Sequence, residues 1–186
     1  MAGFGGALKQ LAMGFASRSG KMAQHSKQTP AVNGDKCTSC GLCLTKCDVD
    51  AIQINDFAII DESKCVGCAG CIAICPVGAI SNDWGAANFR EKIAEYAYGA
   101  DLHKNNIYIN YLMNVTKECD CMGQHYEPIA DHIGVFASMD PVALDTACLN
   151  ILQKEHGGPL FEGGRITLEH AKKIGFGDSS YKIIEL

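Results

Sequence analysis

The sequence predicts an α/β (α+β) fold in which α/β elements flank a separate cysteine-rich insert. Three observations predict it. Eight of the eleven cysteines fall between residues 37 and 75, in two runs of identical spacing. Helical periodicity marks residues 1–20 and returns beyond residue 85. Two apolar runs, "NIYINYLM" (106–113) and "HIGVFASM" (132–139), read as strands between the later helices.

In chain order, Leu8, Leu11, Ala12 and Phe15 follow the i, i+3, i+4, i+7 pattern of one helix face over residues 1–20. Residues 21–34 are polar and contain Pro30, which predicts a linker. Residues 1–34 are therefore assigned to the α/β domain as an N-terminal helix and linker. The cysteine-rich domain spans 35–84, and within it "AIQINDFAII" predicts a hairpin turning at Asn55-Asp56. The α/β portion covers 85–186. Phe89, Ile93 and Tyr96 mark a helix near 86–98. Asp140-Pro141 forms an N-cap and N1 pair for a helix with Leu144, Ala147, Cys148 and Ile151 on one face, and Gly157 is placed to end it. A shorter helix near 167–174 precedes Gly175, and "YKIIEL" is expected to close the chain as a strand.

Composition excludes several functions. A formal charge of −5 lacks the basic face that nucleic-acid binding needs to displace counterions. No run approaches the roughly 20 apolar residues of a membrane span. The apolar N-terminal stretch has no basic residue ahead of it, unlike a secretory signal. Eleven cysteines form an odd set, and thiols kept reduced in a cytoplasm as metal ligands fit it better than disulfides.

Both runs have the form C-x2-C-x2-C-x3-C: Cys37, Cys40, Cys43, Cys47, then Cys65, Cys68, Cys71, Cys75. They belong to an internal repeat, "KCTSCGLCLTKCDVDAI" against "KCVGCAGCIAICPVGAI", offset by 28 positions from Cys37 to Cys65. Three closely spaced cysteines on a loop can wrap one corner of a cubic iron–sulfur cluster, while the fourth points toward a partner cluster. In the bacterial form of this run the fourth cysteine serves the other cluster. That gives Cys37, Cys40, Cys43 and Cys75 to a first [4Fe–4S] cluster, and Cys65, Cys68, Cys71 and Cys47 to a second. Zinc is the alternative, because C-x2-C pairs also build tetrahedral sites, although zinc modules separate their pairs by a longer loop. Gly41, Gly67 and Gly70 would let the backbone approach inorganic sulfide. Lys36 and Lys64 could tune the clusters or stay solvated.

The block resembles the bacterial two-cluster ferredoxins, and Cys75-Pro76 matches their C-P ending. The first run departs from it, with Asp48 where proline is usual. Aspartate restores an N–H and adds a carboxylate beside Cys47, or simply caps a short helical turn. The resemblance implies one-electron transfer at low potential between clusters near the surface, and a redox partner protein.

The flanks carry a second resemblance. "GFGGALKQLAMGFASRSGKMAQHS", "NVTKECDCMGQHYEPIADHIGVFASMDPVALD" and "IGFGDSSYKIIEL" are similar, in this order, to the iron–sulfur protein family named domain of unknown function 362. Its members are typically about twice this length, which implies that this chain begins inside the family's domain. Apolar surface left by an absent half could drive homo-oligomer formation.

Cys119 and Cys121, with Asp120, His125 and His132 nearby, could bind a further metal, act as a redox-active thiol pair, or pack as an ordinary loop. Cys148 is expected in the core. "GFGGAL" is not a G-x-G-x-x-G, since Leu8 replaces the last glycine, but a glycine-rich helix start can bind an anion through its N–H groups. Trp84 is expected to pack beside the clusters. His25 and His103 need no role, and no hydrolytic constellation is apparent. The expected function is an iron–sulfur electron carrier. The rivals are an oxidoreductase using the Cys119/Cys121 loop and a protein whose clusters only brace its fold.

Overall fold

The computed structural model describes residues 5–25, 29–82, 88–119 and 123–186. Trp84, Asp120 and Cys121 lie outside them. Six helices and six strands are described: α1 (Ala7–Lys9), α2 (Arg18–His25), β1 (Ala31–Val32), β2 (Ile52–Ile54), β3 (Ala58–Ile60), α3 (Gly70–Ile74) and β4 (Ile80–Ser81) come first. Then follow α4 (Phe89–Asp101), β5 (Tyr108–Leu112), β6 (Gly134–Ser138), α5 (Pro141–His156) and α6 (Glu162–Lys173). Helices mixed with small antiparallel sheets make this an α+β fold. No described helix is long and apolar enough to cross a membrane.

The chain divides into two compact units, Met1–Phe15 with Arg90–Leu186, and Ala16–Phe89. The unit that holds the eight clustered cysteines takes in residues 16–34 as well. The continuous helix expected over 1–20 is also broken. α1 runs into one π-helical turn, Gln10–Gly14, burying Leu8, Leu11 and Ala12, whereas Phe15 is 71% exposed. Ser17 then accepts the Gly20 amide at 3.2 Å and starts α2 in what reads as linker. A cap signal inside the periodic stretch splits one helix into two.

In the α/β unit, β5 and β6 pair antiparallel from Tyr108–Ser138 to Leu112–Gly134, each within the range expected from sequence. Tyr108 and Leu112 are buried on the face that meets α5. Asp140 caps α5, accepting from Val142 and Ala143 at 2.8 and 3.0 Å, and Gly157 ends it with φ +78°. Burial on α5 exceeds one stripe: Val142, Cys148, Leu149 and Leu152 are all fully buried, so this helix is the unit's core. α6 starts five residues earlier than expected, at Glu162. The strand expected at "YKIIEL" is absent. β5 and β6 pair with each other, the tail finds no strand to join, and Ile184 is 75% exposed.

The cysteine unit is built twice. β2 and β3 form the expected hairpin, with Ile52 opposite Ile60, and β1 pairs with β4, with Val32 opposite Ile80. The repeat offset relates β1 to β3 and β2 to β4, so one strand pair is the copy of the other. Its core is thin: Ile52, Ala58 and Ile80 with Cys43 and Cys71.

Candidate metal centre

The duplication extends to individual backbone angles. Left-handed φ values occur at Ser39 and Gly67, at Gly41 and Ala69, and at Asp50 and Gly78, each pair one repeat apart. Each pair has glycine in one copy and tolerates a side chain in the other. Hydrogen bonds repeat as well. The Cys37 amide donates to Asn33 O at 3.1 Å and the Cys65 amide to Asp61 O at 2.9 Å. Alternation of right- and left-handed residues turns successive N–H groups to one side, which makes a concavity suited to negative charge.

Two hollows result. One is lined by Cys37, Cys40, Cys43 and Cys75 with Ile54 and Ile80. The other is lined by Cys65, Cys68, Cys71 and Cys47 with Ile52 and Ile60. Each thus gathers three cysteines of one run and the fourth of the other. The reason is local: Leu44–Lys46 forms a 3-10 turn and α3 occupies the matching place, and each carries its last cysteine away from the loop before it.

Amide groups reach the sulfurs in matched fashion. Ala51 donates to Cys47 Sγ and Ala79 to Cys75 Sγ, both at 3.2 Å, and Ala58 donates to Cys37 Sγ at 3.4 Å. The amides of Ala58 and Ser39 hold the Cys37 thiol below its ordinary pKa. At Cys75 burial pulls upward, but the amides from Val77 to Ile80 outweigh it and the net shift is down. Burial raises Cys43 and pushes Cys71 up to about 11. A metal that took these two as ligands would displace their protons.

The donor set fits iron–sulfur ligation: four thiols on each hollow, apolar walls and amides on sulfur. Among the described residues no three Cys, His, Asp or Glu side chains converge on a point where one metal ion could sit. Of the three glycines singled out, Gly41 and Gly67 adopt positive φ. Gly70 instead starts α3, where a Cβ would stand 3.0 Å from the Lys46 carbonyl. Asp48 is exposed and caps no helix. Lys64 makes an exposed ion pair with Asp61 at 4.0 Å.

The α/β unit answers the question of the glycine-rich helix start. The amides of Ala7 and Leu8 are taken by Asp145 Oδ1 and Oδ2 at 2.7 and 2.9 Å, and Asn110 donates to Oδ1 at 2.7 Å. The anion at this helix end is thus the protein's own carboxylate. A Cβ on Gly6 would run into it. Burial pushes Asp145 up to about 6, opposed by those three donors. Asp140 does a parallel service for the C-terminal segment, accepting the Asp178 amide at 2.9 Å through Oδ2, where a Cβ on Gly177 would collide with Oδ1. "MDPVALD" therefore fastens both "GGAL" and "FGD". Asp145 was not singled out from sequence; an acid on the buried face of an otherwise apolar helix is the signal that could have found it.

Cys119 meets Lys9, whose Nζ lies 3.0 Å from Sγ. The pair lines a cavity of about 530 Å³ with Gln10, Asn114, Lys117 and Glu118. His125 pairs with Glu127 at 3.2 Å, and His132 lines a different hollow with Glu155 and His156. Cys148 is fully buried, 3.7 Å from Asn110 Nδ2. No curated protein matches the sequence. The family model described as Domain of unknown function (DUF362) matches residues 1–150, and the chain belongs to that family.

Proposed function

We propose that the chain is an iron–sulfur electron-transfer protein whose cysteine unit is a bacterial ferredoxin-like module for two [4Fe–4S] clusters. The observation that carries this reading is the pairing of cysteines across the two hollows, three from one run and the fourth from the other. When bound, each cluster supplies reversible one-electron chemistry. The chain's part is to supply four thiolates per cluster, to hydrogen-bond Cys37, Cys47 and Cys75 through backbone amides, and to keep water off with Ile52, Ile54, Ile60 and Ile80. Amides on sulfur raise a cluster's potential, and burial of its charge tunes it further. Cys40 is exposed, and Leu42 and Val66 beside the hollows are half exposed, which suits brief docking of a redox partner protein. Reduced thiol ligands fit a cytoplasmic setting.

Anaerobic iron and sulfide assay, followed by an EPR-monitored redox titration of the same sample, tests the reading. About eight irons and eight sulfides per chain with two one-electron reductions are expected. A full complement that stays silent across the accessible range would overturn electron transfer and leave bracing of the fold. Zinc in place of iron would overturn the cofactor itself.

A further inference from the structure

We propose that Cys119 is the nucleophile of a small-molecule site in the α/β unit, kept as a thiolate by Lys9, and that it reacts with small disulfides. The site is built from distant parts of the chain. Asp145 fixes the start of α1 through the Ala7 and Leu8 amides, and α1 in turn places Lys9 at its C-terminal end. The segment after β5 brings Cys119 to Lys9 Nζ, 3.0 Å away and 110 residues along the chain. An ammonium at that distance stabilises a thiolate over a thiol, and it repels a metal cation from the same sulfur.

The cavity that Cys119 lines, about 530 Å³, falls within the range of small-molecule sites. Lys9 and Lys117 supply positive charge, Glu118 beside Cys119 supplies a carboxylate with a buried, unpartnered oxygen, and Gln10 and Asn114 supply side-chain amides. These groups suit a small polar ligand. A thiolate beside them is matched to a sulfur electrophile. In the reaction, Cys119 Sγ attacks one sulfur of the disulfide. The new Sγ–S bond forms as the old S–S bond breaks, and the second sulfur leaves as a thiolate. The bound disulfide is the oxidant and Cys119 is oxidised to a mixed disulfide, so no further reactant is required. This proposal stands apart from the cluster reading, because it uses no residue of the cysteine unit.

The test uses 5,5′-dithiobis(2-nitrobenzoate), a small dianionic disulfide, on the protein as isolated under anaerobic conditions. A Cys121→Ser background removes the neighbouring thiol. One fast equivalent mapping to Cys119 is expected, with a rate already on its plateau at pH 7. Lys9→Met should slow it at least about tenfold at pH 7 and move the inflection toward the ordinary thiol value of about 8.5. Lys9→Arg, which keeps the charge, should restore most of the rate. Circular dichroism identifies a variant that fails to fold, in which case Lys9→Gln replaces it. The proposal is overturned if Cys119 reacts no faster than in the urea-unfolded chain. It is equally overturned by a wild-type rate that rises with an inflection near 8.5, or by a neutral residue 9 that leaves the profile unchanged.

Discussion

The two units of this chain are held together by opposite means. The α/β unit has a helix, α5, with Val142, Cys148, Leu149 and Leu152 fully buried, and two aspartates at its N-terminal end, Asp140 and Asp145, hold the amides of Asp178, Ala7 and Leu8. The cysteine unit has strands of two or three residues and a core in which Cys43 and Cys71 stand beside Ile52, Ala58 and Ile80. Much of what its residues surround is two cysteine-lined hollows. Apolar burial stabilises the first unit. On the proposed cluster reading, the second draws much of its stabilisation from bonds between its cysteines and the clusters, because its own core is thin. The difference teaches where each unit can be broken.

Removing the metal is the largest expected perturbation. Metal binding to such a unit is folding energy, on the order of 10 kcal/mol by analogy with structural metal sites. Anaerobic chelation should therefore abolish hydrogen-exchange protection in residues 29–82 while leaving that of α5 intact. Loss of protection in both units together would show that they do not differ in this way. Cys75→Ala sharpens the point, since it removes a thiol from the second run but from the first hollow. Its expected signature is loss of at least half the iron, with the spectral change assigned to the cluster of Cys37, Cys40 and Cys43.

The α/β unit should break by cavity formation instead. Leu152→Ala deletes a side chain with no exposed surface and should cost about 2–5 kcal/mol. Urea denaturation followed by exchange in α5 reads the loss, and iron content should not change.

The third perturbation is pH. Burial raises Asp145 from 3.8 to about 6. Between those values the folded chain holds a proton that the unfolded chain releases. Its contribution to stability is thus fully present below about pH 3.8 and lost as pH rises through about 6, amounting to about 3 kcal/mol. Asp178 shifts the other way, down to about 2, held by Ser180 and then Lys172, so its contribution fails only in more acid solution. The stability of the α/β unit should fall between pH 4.5 and 7 in the native chain and stay nearly flat in Asp145→Asn. Parallel profiles would mean that the Asp145 carboxyl titrates normally in the fold.

The two units also differed in how far the sequence disclosed them. The cysteine spacing, the hairpin and the repeat are local patterns, and the positions of Cys47 and Cys75 follow from short turns close in sequence. The fastening of the α/β unit joins Ala7 to Asp145 across 138 positions, and no local pattern announces it. The same limit explains the tail at "YKIIEL": apolar residues suggest a strand, but a strand needs a free edge elsewhere in the fold. The break after Phe15 was legible in principle, because Ser17 is a cap residue three positions ahead of a glycine, yet the helical period around it is the stronger pattern.

The smallest perturbation compares the copies within the cysteine unit. Gly41 and Ala69 occupy equivalent places with φ of +74° and +59°. A side chain at such an angle costs roughly 1–2 kcal/mol, offset in part by the freedom that glycine adds to the unfolded chain. A Cβ at Gly41 meets only Leu44 Cδ1, at 3.9 Å, so strain is the whole penalty. Gly41→Ala should therefore lower stability by about 0.5–1 kcal/mol and Ala69→Gly raise it by a similar amount. The urea midpoint at which the metal chromophore bleaches reads both. Because the two loops share one backbone path, the double exchange Gly41→Ala with Ala69→Gly should return that midpoint close to the native value. A midpoint well below it would mean that the first loop needs glycine for more than its angle, as close approach of the backbone to inorganic sulfide would require.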